Sequence, residues 1–454
     1  MRLTITNRLR IHCPPMDFAA ELCDRLTLAN SAHASAIKAG RYSGNLDPTI
    51  RYWCEAGADL IVPRGTIGLV RWLARQHNLQ IEPTDRTWLC EPVDFDFRGE
   101  LRPYQADALE AVTQWPSGVL QAPTGSGKTI VGLAAIARRR QPALVVCHTA
   151  TLAEQWVERA TQFLDVSGAE VGRIGGGRCE IGDRLTVAII NSLAKCVADV
   201  APGIGHLVVD ECHRVVAQRY AKTVGRFDCR YVLGLSATPY RRDGQSRAVS
   251  WLLGKIHKID KAPLVEAGAI LRADVEQRAT DFRTSRNASD EYQAVLTELS
   301  QDPARNRQIA ADVAADVRSG HGVCLVLSDR RAHCDALQAA LARHGVESVV
   351  LTGQLSQGAR DQALDQVVPT GPARVIIGTM QLVGEGWDFP RVATLYLATP
   401  IKFDGRVVQV IGRVLRPAPG KDRARIVDYV DRRVPVLRAS ARARRRTYDR
   451  EAVS

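Results

Sequence analysis

The chain has 454 residues, 45% of them apolar and 24% charged, which is enough for two or three domains that each bury a core. Its net charge of +12 allows a polyanionic partner without requiring one. There is no run of 18 apolar residues, the opening MRLTITNRLR lacks a signal-peptide stretch, and the eleven cysteines form no Cys-x-x-Cys pair. These features argue against a membrane span, a secretory leader, a zinc site and a disulfide framework, and a reducing cytoplasm is the expected location.

Residues 1–98 carry twelve basic and eleven acidic residues. An alternating Met1–Arg10, a helical Thr66–His77 and a polar strand over Val93–Arg98 predict a small α+β accessory domain. From Leu101 onward, apolar runs of strand length recur: Val119–Gln121, Ala143–Cys147, Val187–Ile190, Leu207–Val209 and Tyr231–Leu235. Helical segments such as Ile130–Arg139 and Leu152–Phe163 separate most of them. Strands apolar on both faces need a covered, parallel sheet. A second series follows at Val323–Leu327, Ser348–Leu351, Arg374–Ile377, Thr394–Ala398 and Arg425–Tyr429, with helices over Ala332–His344 and Gln357–Gln366. Two α/β lobes are expected, at 99–262 and 306–437, joined by a polar stretch at 263–305 that is a linker, a short helical arm or the first helices of the second lobe. Residues 421–454 hold eleven Lys/Arg against five Asp/Glu, so 438–454 read as a basic tail that either grips phosphates or is merely solvated.

Ala122-Pro-Thr-Gly-Ser-Gly-Lys-Thr129 stands between a strand and a helix, the setting a phosphate-binding loop needs. Thr124, Gly125, Ser126 and Gly127 would curl backbone N–H groups toward phosphate oxygens. Lys128 would add its charge at the β- and γ-phosphates, and Thr129 a hydroxyl for Mg2+. Asp210 and Glu211 end an apolar strand, where Asp210 would hold Mg2+ and Glu211 would polarise the attacking water. Upstream, Arg102 and Gln105 are placed to select adenine. ATP and Mg2+ are therefore the expected cofactors. The second series lacks such a loop but carries Gln409-Val-Ile-Gly-Arg-Val-Leu-Arg416. Arg413 and Arg416, three apart, would share a helix face and reach a γ-phosphate.

In order along 102–416, these segments resemble the motifs of superfamily 2 helicases and translocases. His148-Thr-Ala-Thr-Leu-Ala-Glu-Gln-Trp156, Asp210-Glu-Cys-His213, Ser236-Ala-Thr-Pro239 and Gly384-Glu-Gly-Trp-Asp-Phe-Pro390 complete the series. The likeness is greatest to XPB-type DNA helicases and phage branched-DNA helicases. It implies two tandem RecA-like parallel-sheet domains behind the small α+β domain. It further implies that Ser236 and Thr238 couple the nucleotide site to a nucleic-acid groove, and that Gly386, Asp388 and Gln409 serve the ATP site. Thr149 and Thr379 would touch nucleic-acid backbone, although a local role as helix cap or strand-end hydroxyl fits both equally. Arg241-Arg242-Asp243 stands where XPB-type proteins carry Arg-Glu-Asp, so the acidic middle residue is replaced; Arg241 and Arg242 remain candidates for phosphate contacts. Leu60-Ile-Val-Pro-Arg-Gly65 is similar to a Pro-Arg-Gly signature ahead of related motors, which makes Arg64, Arg71 and Arg75 candidates for DNA phosphates. Trp53, Trp72 and Trp88 are either base-stacking platforms or packing residues.

The resemblance implies an ATP-dependent DNA helicase or translocase, 3′ to 5′ or acting on single-stranded, forked or branched DNA. An RNA-dependent ATPase and a motor subunit working beside a protein such as a nuclease are the alternatives. No membrane partner is expected.

Overall fold

The computed structural model describes residues 1–451 except 39, 41, 45, 238–244, 289, 321, 354, 356, 369–372, 381–388, 401–404 and 422. Two compact units emerge, the first from residues 1–123 and 127–259, the second from 124–126 and 260–454.

The first unit opens with a five-stranded sheet in the order Cys54–Ala56, Asp59–Pro63, Arg8–Ile11, Arg2–Ile5, Glu82–Asp85. Arg2–Ile5 and Arg8–Ile11 form a hairpin in which Leu3 faces Ile11 and Ile5 faces Leu9. Leu3, Leu9 and Ile11 point inward while Arg2, Arg8 and Arg10 point out, the period-2 pattern of a half-buried sheet. Helices Met16–Arg25 and Ile67–Gln76 cover that face with Phe18, Leu22, Val70 and Leu73.

Behind it stands an eight-stranded sheet with a parallel centre: Leu185–Ile189, Ala143–Cys147, His206–Asp210, Tyr231–Ser236 and Ser117–Gln121. All five residues of Ala143–Cys147 are buried, as a strand covered on both faces requires. Register aligns Gln121 with Ser236 and Asp210 with Leu235, so the phosphate loop and the Asp-Glu pair leave the same carboxyl edge. Three further strands, Gly172–Gly175, Arg178–Cys179 and Lys255–Lys258, extend the sheet beyond the five expected. They are short, glycine-bearing or charged edge strands, which carry little apolar signal.

Residues 1–98 do not stand apart from this lobe. One apolar cluster runs from Leu3, Phe18 and Leu73 through to Leu207, Phe227 and Trp251. The strand expected over Val93–Arg98 is absent. That segment is an extended strap, bonded through Asp96 N–H to the Asp165 carboxylate and Arg98 N–H to the Phe163 carbonyl, with Phe97 stacked on Phe163.

The second unit contains a six-stranded parallel sheet in the order Ala273–Thr280, Ala424–Asp431, Val392–Leu397, Val323–Ser328, Ala373–Thr379, Glu347–Leu351. Two expectations are corrected here. Residues 263–305 are no linker: Ala273–Thr280 is an edge strand, and Tyr292–Gln301 and Pro303–Arg318 are helices of the same unit. Their polarity misled because the charges are paired in place. Glu276 binds Arg278 and Arg425, and the buried Arg305 binds Asp431 at 2.9 Å. Nor is the basic stretch over 438–451 a loose tail, because Pro435–Glu451 is a helix anchored by the buried pair Arg444–Asp428 at 2.9 Å.

Candidate active site

The phosphate loop leaves strand Ser117–Gln121 at Ala122 and enters helix Lys128–Arg139. Gly125 and Gly127 adopt φ of +89° and +81°, the left-handed region that glycine alone occupies without strain. At Gly127 space forbids a side chain as well, since a Cβ would lie 2.3 Å from Gln105 Nε2. Gln105 is buried at the start of helix Pro103–Thr113, and its Oε1 accepts from Arg102 N–H at 3.0 Å. The expected adenine-selecting residue is thus held rigidly against the loop.

Lys128 Nζ donates to the carbonyls of Ala122 at 2.9 Å and Pro123 at 3.2 Å, so the ammonium lies along the loop's inner face. Thr129 follows it in the first helical turn. Asp210 ends its strand with both carboxylate oxygens engaged. Trp156 Nε1–H donates to Oδ2 at 2.9 Å, and Glu211 N–H donates to Oδ1 at 2.8 Å. Burial, reinforced by the neighbouring Glu211, pushes Asp210 up to about 6. Glu211 sits at φ +47°, a strained angle for a residue with a Cβ, which turns it out of the strand direction. Burial would raise its pKa, but His213 and Lys128 outweigh burial and hold it below the ordinary glutamate value. A buried but ionised carboxylate beside a phosphate loop can accept a proton from water.

Two of these contacts reach Ser236, the expected coupling residue. His213 Nδ1 lies 3.2 Å from both Glu211 Oε2 and Ser236 Oγ. The Ser236 carbonyl accepts from Ala122 N–H at 3.1 Å. Ser236 therefore touches the loop through its backbone and the Asp-Glu segment through its side chain.

Thr129 and Asp210 are hard oxygen donors suited to Mg2+. Among the described residues no group of three or more His, Cys, Asp or Glu side chains converges on one point. An ion that shares its ligands with phosphates and water needs no more than one or two protein groups. The residues present fit Mg·ATP: the ion would neutralise phosphate charge, while the chain supplies the cradle, Lys128 and a fixed Asp210.

Trp156 was not among the residues singled out from sequence. It is 2% exposed, and its ring packs where a Cβ on Gly132 of the Lys128 helix would stand 2.8 Å away. It belongs to helix Ala150–Phe163, which begins at Thr149. The Thr149 hydroxyl accepts from Leu152 N–H at 3.3 Å, the helix-cap role foreseen as its alternative. The available signal was a tryptophan on the apolar face of this helix, beside Val157 and Ala160.

In the second unit, helix Gly405–Val414 carries Gln409 and Arg413 but ends before Arg416. Arg416 lies in the turn that closes the helix, its N–H on the Arg413 carbonyl at 3.1 Å. That turn is built around Lys421, also missed from sequence. Its ammonium donates to the carbonyls of Val414 at 2.6 Å, Arg416 at 2.8 Å and Pro390 at 3.0 Å. Thr379 ends strand Ala373–Thr379, opposite Ser328. Thr238, Arg241, Arg242, Gly386 and Asp388 lie outside the described residues.

Arg64 is corrected outright. It is buried, and its guanidinium donates to the carbonyl of Cys229 at 2.7 Å and to that of Arg230. A Cβ on Gly65 would stand 2.2 Å from the Ser250 carbonyl oxygen. The Pro-Arg-Gly segment thus docks the N-terminal sheet on the lobe, and Arg64 has no face for a phosphate. Arg71 and Arg75 are exposed. Trp88 packs inward, its indole N–H on the Ile204 carbonyl, whereas Trp72 is 45% exposed beneath the Arg25 guanidinium.

Residues 98–241 match the family described as type III restriction enzyme, res subunit, and 308–418 match the helicase conserved C-terminal domain. A DNA 3′-5′ helicase XPB of Kineococcus radiotolerans is 27% identical over 350 residues, 73% of this chain and 60% of that one. L396 of Acanthamoeba polyphaga mimivirus, which bears an ATP-dependent RNA helicase name, is 24% identical over 74% of this chain and 65% of its own. The helicase domain of Pyrococcus furiosus Hef is similar in fold, with TM-score 0.53 and 14% identity over 75% of this chain and 98% of that one. The chain spans between about half and two thirds of the length of curated relatives matched over most of its own length.

Proposed function

We propose that this chain, a member of the superfamily 2 helicases and translocases, hydrolyses ATP to move along or remodel DNA, 3′ to 5′ and on forked or branched substrates. The observation that carries the reading is the Lys128–Asp210–Glu211–Ser236 arrangement, in which loop, carboxylates and coupling serine share one carboxyl edge. Lys128 and the loop N–H groups hold the triphosphate, Asp210 holds the ion, and Glu211 takes the proton of the attacking water. Arg413 and Arg416 act as the second unit's fingers on the γ-phosphate, so ATP favours one arrangement of the units and its hydrolysis another. DNA as track and 3′ to 5′ polarity follow the printed name of the XPB relative. Threonine hydroxyls and backbone N–H groups suit phosphate oxygens and are blind to base identity.

The test is ATPase and strand displacement measured side by side on 3′-tailed, 5′-tailed and forked DNA and on matched RNA. Stimulation by DNA with displacement from 3′ tails is expected. Stimulation by RNA alone would replace the reading with an RNA motor. ATPase indifferent to every polynucleotide would sink both.

A further inference from the structure

A cavity of about 320 Å³ lies between the N-terminal sheet and the segment that follows Glu211. Its floor is apolar and buried, formed by Val215, Val224, Phe227 and Leu253. Arg8, Arg51 and Lys222 stand exposed at its mouth, and no carboxylate is among the described residues that line it. One wall is Trp53. Its indole N–H donates to Thr27 Oγ1 at 2.9 Å, and the Arg51 guanidinium lies 5.4 Å from its ring centre. The ring is therefore pinned in one orientation before any ligand arrives. None of these residues takes part in the nucleotide site around Lys128.

A fixed aromatic plane, an apolar floor and a cationic mouth select a flat molecule with an anionic edge. A volume near the lower end of the roughly 300–1,000 Å³ usual for ligand sites admits one planar group rather than a peptide. Aromatic stacking is sequence-tolerant, and arginine or lysine at the mouth matches a phosphate. We propose that this cavity is a second nucleotide site, taking one base of a nucleic-acid strand against Trp53 with its phosphate at Arg8, Arg51 and Lys222. The assignment deepens the motor reading and rests on it for the strand as source; the chemistry of the ligand rests on the cavity alone. Its floor gives the site a consequence. Val215 follows directly on the Cys212–Arg214 turn behind Glu211, and helix Gln218–Val224 supplies the opposite side. A base seated there presses on the chain segment that carries the catalytic carboxylate.

The test uses the full chain with saturating Mg·ADP to fill the Lys128 site. Single-stranded oligonucleotides carry 2-aminopurine at the 5′ end, the 3′ end or internally, and 2-aminopurine nucleoside monophosphate serves as the free ligand. Emission is expected to fall for at least one strand position through stacking. The exposed-rim double variant Arg51→Glu/Lys222→Glu should lose that quenching and weaken strand binding by about tenfold, the scale of one stacked base with its phosphate. The filling variant Ala221→Phe should lose the quenching too, and ATPase without nucleic acid should stay unchanged in the rim variant. Unaltered quenching and affinity in the rim variant overturn the site while leaving the motor reading intact. A wild-type chain that binds no strand overturns the motor reading and the strand as source. Free monophosphate bound as tightly as any strand, and lost in the same variants, keeps the site but assigns it to a free nucleotide.

Discussion

Asp210 shows how much of this site depends on hydrogen bonds that no motif specifies. Its carboxylate is buried and would swing or take up a proton without a donor on Oδ2; the Trp156 indole supplies that donor from a neighbouring helix. Trp156→Phe removes the N–H together with the indole carbons that lie against Gly132, so its melting temperature is read beside its activity. It is expected to raise the Mg2+ needed for half-maximal ATPase by about tenfold, within the roughly 10–100-fold typical of groups that orient a metal ligand. Fluorescent-ATP binding titrated against Mg2+ should show the same shift, and an unchanged titration would make Trp156 a packing residue only. Lys128→Ala should lose most turnover and nucleotide affinity together. Glu211→Gln should retain nucleotide affinity and lose about 100-fold or more in kcat, because the proton acceptor goes while the phosphate cradle stays. Filter binding beside a turnover assay separates the two. Full hydrolysis by Lys128→Ala would refute the catalytic assignment.

Among the elements, the carboxy-terminal helix most changes the reading of the sequence. Its arginines divide into two kinds: Arg444 is buried on Asp428, while Arg438, Arg442, Arg445 and Arg446 face outward. Arg444→Met should destabilise the chain by about 3–5 kcal/mol, because Asp428 is left buried and unpaired. Arg444→Met/Asp428→Asn should recover most of that loss, read as a denaturation midpoint. Arg442→Glu/Arg446→Glu should leave the midpoint in place and weaken the salt dependence of DNA binding. If both sets of variants behave alike, the division is wrong. The turn around Lys421 is the second such element. Burial and Arg416 push its ammonium down to about 8, yet it closes two carbonyls at the end of the arginine-bearing helix and that of Pro390. Lys421→Met should cost about 1–3 kcal/mol as buried carbonyls lose their donor.

At the scale of the whole molecule, residues 1–98 are structural for the first unit whatever else they bind. Their apolar face continues into the lobe's cluster, and Arg64 closes two lobe carbonyls. Deleting 1–98 should therefore yield aggregated or partly folded protein rather than a competent motor, checked by size-exclusion chromatography and thermal melting. A monomeric truncated chain that melts as sharply as the full one would contradict this. Acid sensitivity is also a property of the folded whole. Burial with Arg139 pushes His206 down to about 3, and burial with Arg305 and Arg330 does the same to His333. The unfolded chain binds these protons near pH 6.5 and the folded one only near 3, so stability should fall as pH drops from about 6.5. Asp210, pushed up rather than down, acts in the opposite sense and partly offsets the loss. His206→Asn should flatten the slope of Tm against pH between 6.5 and 4; a slope identical to wild type would show that His206 does not carry it.

The phosphate-loop and Asp-Glu segments were legible because their pattern is local. A phosphate loop needs closely spaced glycines, a lysine and a hydroxyl after a strand, and Asp210-Glu211 must end a strand to meet it, so spacing and periodicity suffice. Central strands such as Ala143–Cys147 were equally plain, since burial on both faces leaves an unbroken apolar run. Whatever depends on partners distant in sequence had no such mark. Arg64 and Arg444 read as surface cations until the carbonyls of Cys229 and Arg230 and the Asp428 carboxylate were brought to them. The edge strand Ala273–Thr280 read as linker until Arg425 and Asp431 neutralised its neighbourhood. Composition records that a charge exists, and only the folded chain decides whether water or a buried partner satisfies it.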